Sequence, residues 1–129
     1  MDYRIGLIGN RAHQNSYGPV WHRRTDCRIV AAAEHHVEKG SALKALYGVD
    51  VSTDYDTVLS NPNVDIVSIC TDFYLKRQLI KKAVAHGKHV LVDKPLGRTV
   101  ADAREIVEAV SRSQSKLVLA YPMRFMPAM

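Results

Sequence analysis

The chain has 129 residues, enough for one domain that buries roughly two thirds of its unfolded surface around a single core. Its 47% hydrophobic and 24% charged residues are ordinary for a globular protein, and no apolar run approaches the ~20 residues that cross a bilayer, which excludes a membrane-spanning helix. The formal charge is +5, but the cations are scattered (Arg23-Arg24, Lys76-Arg77, Lys81-Lys82, Arg112) and no aromatic alternates with them, so they read as solvated helix faces and not as a nucleic-acid surface.

The first strand, Tyr3–Ile8, begins at once, without a signal peptide's long apolar region or small-residue cleavage site, so a cytoplasmic location is expected. It ends in Gly6-Leu7-Ile8-Gly9, a nucleotide-binding signal. A dinucleotide site needs a tight turn there, so that backbone N–H groups and a helix N-terminus face the pyrophosphate. With Gly9 as the first glycine of G-x-G-x-x-G, Arg11 and Gln14 stand at the other two positions, and the fingerprint alone is weak. Asn10 belongs to the same turn, and Arg11 is expected to pair with a phosphate that a glycine would have let the backbone approach. The segment Asn10–Gly18 is polar enough for phosphate or substrate contact; His13 within it reads as a surface-loop residue. A helix over Tyr17–Arg24 places Trp21 in the core.

The second strand, Arg28–Ala33, is closed by Glu34, about 25 residues beyond Gly9, where an acid accepts hydrogen bonds from ribose hydroxyls and repels a 2′-phosphate. The cofactor expected is therefore NAD, with NADP disfavoured. His35 and His36 point apart on an extended chain, one to rim the adenine and one to solvent. No Cys or His pair has zinc-ligand spacing, since His86 and His89 straddle a helix-to-strand turn, and no metal is expected. Cys27 and Cys70 read as buried thiols.

A helix over Val37–Tyr47 stops at Gly48, and a weak strand follows at Val51–Thr53. Next come a strand at Asp65–Cys70, a helix at Tyr74–Ala85 stopped by Gly87, and a strand at Lys88–Val92. A helix over Val100–Ser113 opens with Thr99 and Asp102 at N-cap and N3 spacing, and a last strand spans Leu117–Ala120. The alternation and the unbroken apolar strands predict a Rossmann-type doubly wound parallel α/β sheet, without repeats. The strand at Lys88–Val92 delivers Asp93, Lys94 and Pro95 to the sheet end where ligands bind, so these three are candidate site residues.

The run Ala83-Val84-Ala85-His86-Gly87-Lys88-His89-Val90-Leu91-Val92-Asp93-Lys94-Pro95-Leu96 resembles the A-x-x-x-G-K-H-V-x-x-E-K-P-L motif of the glucose–fructose oxidoreductase, inositol dehydrogenase and rhizopine catabolism (Gfo/Idh/MocA) family. Tyr55, Leu59, Val64-Asp65-Ile66-Val67 and the ending Tyr121, Arg124, Phe125, Pro127 extend the resemblance over essentially the whole chain. It implies the NAD(P)-binding domain of an oxidoreductase acting on a sugar, cyclitol or related polyol. Lys94 would then lie beside the nicotinamide and stabilise the developing alkoxide, the catalytic role. Asp93 replaces the family's glutamate. Thr71 is kept for cofactor contact, but Asp72, Phe73 and Lys76 replace the proline, asparagine and histidine of the family's T-P-N-x-x-H loop. The family's proton-transfer histidine and companion acid come from a second domain, so this chain alone is expected to be catalytically incomplete.

Residues 121–129 hold three of the four methionines and are too apolar for a solvated tail. The expectation is a dinucleotide-binding domain over 1–120, with 121–129 starting a linker to an absent C-terminal substrate domain, and self-association through that tail. Two rivals remain: a non-enzymatic NAD-binding sensor, favoured by the altered fingerprint, and an S-adenosylmethionine methyltransferase, which leaves Asp93-Lys94-Pro95 without a purpose.

Overall fold

A computed structural model describes residues 2–11 and 13–128. In chain order the elements are β1 (Tyr3–Ile8), α1 (Gln14–Arg23), β2 (Cys27–Ala33), α2 (Val37–Tyr47), β3 (Val51–Ser52), α3 (Asp56–Leu59), β4 (Ile66–Ile69), α4 (Lys76–Ala85), β5 (His89–Asp93), α5 (Val100–Ser111) and β6 (Leu117–Ala120), with a closing 3₁₀ turn at Pro122–Phe125. The strands form one six-stranded parallel sheet in the order β3-β2-β1-β4-β5-β6. The order reverses between β1 and β4, and the crevice beyond the carboxyl ends of those strands is where this topology receives ligands.

Side-chain alternation divides the core between the two faces of the sheet. Ile5 and Leu7 of β1 pack with Ala32, Leu43 and half-buried Trp21 on the face covered by α1 and α2. Ile8 joins Val67, Ile69, Val90 and Val92 on the other face, beneath Val58, Leu79, Ile80, Ala83 and Ile106 of α3, α4 and α5. Both cysteines are buried. On the α1 face the sheet is open toward β6: Trp21, Ile66, Leu91 and Val118 line a shallow apolar cleft of about 280 Å³, and Val118 is 57% exposed. Met123, Phe125 and Met126 of the C-terminal segment are also exposed.

The sequence-based boundaries need local correction. α1 begins at Gln14 and not Tyr17, because Ser16 and Tyr17 already donate to the His13 carbonyl, and Pro19 therefore sits inside the helix and not in its first turn. α4 begins at Lys76, since Leu75 N–H turns back to the Asp72 carbonyl. The sequence predicts no helix at α3, whose four residues are too few for a periodic pattern. At α5 the Thr99 hydroxyl accepts from Asp102 N–H at 3.0 Å, as the spacing predicts, but the Asp102 carboxylate reaches back to Arg98 N–H at 3.2 Å and so caps one residue earlier.

At the amino end of the sheet the Asp65 carboxylate accepts from Arg4 N–H and from its guanidinium at 2.9 and 2.7 Å. Arg4 holds the carboxyl down at about 2. A carboxyl whose folded value lies below its unfolded one stabilises above the unfolded value and loses that contribution as pH falls through the folded one. Asp65→Asn is therefore expected to destabilise the chain near neutral pH, with the gap to wild type closing between about pH 4 and pH 2. Both side chains are about a third exposed, at 32% and 31%, so the gap should also shrink with added salt. Urea unfolding across that pH range measures it; a gap that persists at the acid end would show that Asp65 acts through packing.

Candidate active site

The site is assembled from the loops that follow β1, β2, β4 and β5. Gly9 turns the chain with φ +78°, and its N–H donates to the Ala33 carbonyl at 2.8 Å. A Cβ here would lie 2.5 Å from the Cys70 carbonyl oxygen, so the position takes glycine alone. The next two N–H groups are also fixed, Asn10 on Glu34 Oε2 at 2.6 Å and Arg11 on the Cys70 carbonyl at 3.0 Å.

Glu34 is only 3% exposed. Besides Asn10 it accepts from His36 N–H on Oε1 at 2.8 Å, so each oxygen already holds one backbone donor. A carboxylate has room for more than two donors, and Glu34 lines a cavity of about 340 Å³ shared with Arg11, His36, Tyr55, Thr71 and Asp72. His35 Nδ1 donates to the Thr53 carbonyl at 2.6 Å, and its ring lies 3.9 Å, centroid to centroid, from the Tyr55 ring, whose hydroxyl meets Thr71 Oγ1 at 3.2 Å. Arg11 forms an ion pair with Asp72 across the mouth of this cavity. Gln14, at the third glycine position, is 1% exposed and accepts from the buried Ser68 hydroxyl at 3.1 Å. It fills the helix–sheet contact that a glycine would have closed.

The end of β5 is more heavily bonded. Asp93 is 3% exposed; Oδ1 accepts from the Tyr17 hydroxyl at 3.1 Å and from Lys94 N–H at 3.0 Å. His13 Nδ1 lies 2.9 and 3.0 Å from its two oxygens. His13 is thus not a free loop residue, because Asp93 draws it inward. Burial, reinforced by the Asp93 charge, pushes the Tyr17 phenol well above its usual range, so it donates and does not ionise. The Lys94–Pro95 peptide is cis, and the Lys94 side chain is exposed, with no hydrogen bond or ion pair among the described residues. On either side of it, Lys76 Nζ donates to the Asp93 carbonyl at 2.5 Å and the Pro95 carbonyl at 2.9 Å. Lys76 is 2% exposed, and burial pushes its amine down while Asp93 pulls it up.

Lys76 is the residue that charge counting misplaced on a solvated helix face. A signal was available: it precedes Leu79, Ile80, Ala83 and Val84 at helical spacing, so it belongs to the apolar stripe of α4. Of the expected members, Arg11, Glu34 and Thr71 line one cavity, Asn10 is bonded to Glu34 and Gly9 lies against Cys70 and Thr71, while Asp93, Lys94 and Pro95 stand at the end of β5. A larger cleft, of about 500 Å³, opens at the opposite end of the sheet, but Arg4 and Asp65 there pair with each other, and Lys88 donates to the Asn61 and Val64 carbonyls. Among the described residues no group of three or more His, Cys, Asp or Glu side chains is placed to hold a metal ion, and no helix is long and apolar enough to cross a membrane.

Residues 3–121 match the model of the oxidoreductase family with the NAD-binding Rossmann fold, Gfo/Idh/MocA. The chain belongs to that family. Among curated relatives, the inositol 2-dehydrogenase of Rhizobium meliloti (strain 1021) is 28% identical over 127 residues, covering 98% of this chain and 38% of that protein. The 1,5-anhydro-D-fructose reductase of Ensifer adhaerens is 35% identical over 107 residues, covering 82% of this chain and 32% of that one. The apo scyllo-inositol dehydrogenase of Lactobacillus casei superposes with a TM-score of 0.88 over 97% of this chain and 38% of that chain; at 22% identity this speaks for the fold. The chain therefore spans between about a third and two fifths of the length of these relatives. Both Asp93-Lys94-Pro95, at the end of β5, and the Gly9 turn after β1 lie within the matched residues.

Proposed function

We propose that this chain is the cofactor-binding part of a cytoplasmic oxidoreductase that moves a hydride between NAD and a hydroxyl or carbonyl of a sugar, cyclitol or related polyol. The observation that carries the reading is Lys94: an exposed ammonium with no partner among the described residues, presented at the carboxyl end of β5 by a backbone that Lys76 and Asp93 hold on both sides. The relatives named above act on small polyhydroxylated molecules by their names, which supports that substrate class.

When bound, NAD supplies the hydride acceptor. This chain's own residues would receive it as follows. The Gly9–Arg11 turn faces the pyrophosphate, and Arg11 exchanges Asp72 for a phosphate oxygen. Glu34 takes the adenosine ribose hydroxyls on its remaining lone pairs and disfavours a 2′-phosphate through its charge. Thr71 and Tyr55 wall the same cavity. The Lys94 ammonium hydrogen-bonds the substrate oxygen and stabilises the negative charge that develops there, an effect strengthened where water is excluded. The substrate pocket and turnover would need the length of chain that the relatives have beyond this one.

Calorimetric titration of the 129-residue chain with NADH and NADPH tests the reading. NADH is expected to bind more tightly by at least about tenfold, the equivalent of one charge–charge or hydrogen-bond difference of about 1.4 kcal/mol. Equal affinities would remove Glu34 as selector, and binding of neither would remove the cofactor assignment. A second reading, a non-enzymatic NAD-binding module, draws on the Arg11–Asp72 pair, which occupies the phosphate side of the cavity with an anion of the protein's own. The two readings separate on NAD reduction by inositols in a full-length relative carrying this domain.

A further inference from the structure

We propose that Asp72 is a built-in competitor of the cofactor: its carboxylate holds the Arg11 guanidinium until a pyrophosphate displaces it, and so sets how tightly NAD is taken. The inference rests on the cofactor reading above and deepens it. Two positions at which the sequence departs from its family are paired with each other: Arg11, at the second glycine of the fingerprint, and Asp72, at the proline of the T-P-N-x-x-H loop. Arg11 Nη1 meets Asp72 Oδ1 in the lining of the cavity that holds Glu34, Tyr55 and Thr71. A guanidinium receives carboxylate and phosphate through the same planar fork, so the two anions ask for the same donors. A phosphate that arrives while the pair is closed brings like charges together, so it takes the arginine by exchange and not by addition.

The backbone presents the pair ready-made. β1 and β4 are neighbours in the sheet; beyond their ends Cys70 N–H donates to the Ile8 carbonyl at 2.8 Å, and the Cys70 carbonyl accepts Arg11 N–H at 3.0 Å. Asp72, two residues further on, has its own carbonyl fixed by Leu75 N–H at 3.0 Å. With both main chains tied, only the two side chains have to move for the pair to open, and they are 54% and 25% exposed. An exposed ion pair favours its closed form by up to about fivefold. The guanidinium is then free in about a sixth of the chains, and the apparent Kd of any ligand that needs it rises about sixfold. Adenosine brings ribose hydroxyls to Glu34 without a phosphate and does not need the arginine, so the competitor acts on the pyrophosphate alone.

Asp72→Asn keeps the shape of the side chain and removes its charge; Asp72→Ser repeats the test without an amide that could bond Arg11 itself. Titration of the 129-residue chain, by calorimetry for NADH and by amide NMR for adenosine, compares them with wild type and with Asp50→Asn, which removes the same charge from a fully exposed residue outside the cavity. Both Asp72 variants are expected to bind NADH about sixfold more tightly and adenosine as wild type does, while Asp50→Asn matches wild type for both ligands. NADH affinity left unchanged or weakened at Asp72 overturns the proposal and leaves the cofactor reading standing. So does an equal gain for adenosine, which would make Asp72 a barrier to entry, or an equal gain in Asp50→Asn, which would make it one charge among many. If NADH binds none of these chains, the cofactor reading fails and this proposal falls with it. If NADH binds the Asp72 variants alone, both stand, with the competitor stronger than its exposure implies.

Discussion

Gly9→Ala is expected to cost the fold about 2–4 kcal/mol, a fall in Tm of roughly 8–16 °C for a domain of this size, and to weaken NADH binding about a hundredfold. Two effects add. An L-residue at φ +78° gives up about 1 kcal/mol, and its Cβ meets the Cys70 carbonyl at 2.5 Å and Thr71 Cβ at 2.9 Å. The carbonyl cannot yield cheaply, because it accepts Arg11 N–H at 3.0 Å and so anchors the turn it would have to leave. Moving it displaces Arg11, whose guanidinium is proposed to bond the pyrophosphate. Losing two charge-assisted hydrogen bonds of about 1.5 kcal/mol each gives the hundredfold figure. Gly48→Ala is the control: φ is +66°, but no atom lies within 4 Å of its Cβ, so about 1 kcal/mol is lost and binding is kept. Differential scanning calorimetry and NADH titration of both variants check this. If Gly9→Ala still binds NADH like wild type, the turn is not where the pyrophosphate sits.

The fold was legible because it is written in period and punctuation. β1 and β6 fall where the apolar runs place them, α2 fills its predicted span, and the stops at Gly48 and Gly87 are left-handed glycines, at φ +66° and +71°. The site was legible only where a residue's part follows from its position along a strand: Gly9 after β1, Glu34 after β2, Lys94 after β5. What was not legible is side-chain pairing across distant segments. Nothing local couples His13 to Asp93, or Arg11 to Asp72, and a lysine's burial depends on carbonyls from another loop. Asp93 is instructive. Its shorter arm compared with glutamate looks like a small departure, yet it sits among a histidine, a tyrosine and a backbone N–H that the motif alone does not announce.

Lys76→Met tests whether that buried amine organises the site. The substitution keeps the length of the side chain and removes the charge. Two effects oppose each other. Met relieves the cost of desolvating an ammonium, and removes a cation from the positive end of the α4 dipole, where it is unfavourable. Against this, the carbonyls of Asp93 and Pro95 lose charge-assisted donors at 2.5 and 2.9 Å, and the nearby Asp93 carboxylate loses a counter-charge. Two such bonds are worth about 1.5–3 kcal/mol each, and a buried acceptor left without its donor costs about 1–3 kcal/mol, so the loss should win by about 1–3 kcal/mol. Urea unfolding reads the sign. Amide exchange at Leu96 and Gly97 reads the place, because a loop freed from the ammonium should open locally before the domain unfolds. If stability and exchange at those amides are both unchanged, the carbonyls do not need the amine, and Lys94 is held by β5 and Asp93 alone. If both change, the lysine at the head of α4 fixes the backbone on which the exposed Lys94 is carried.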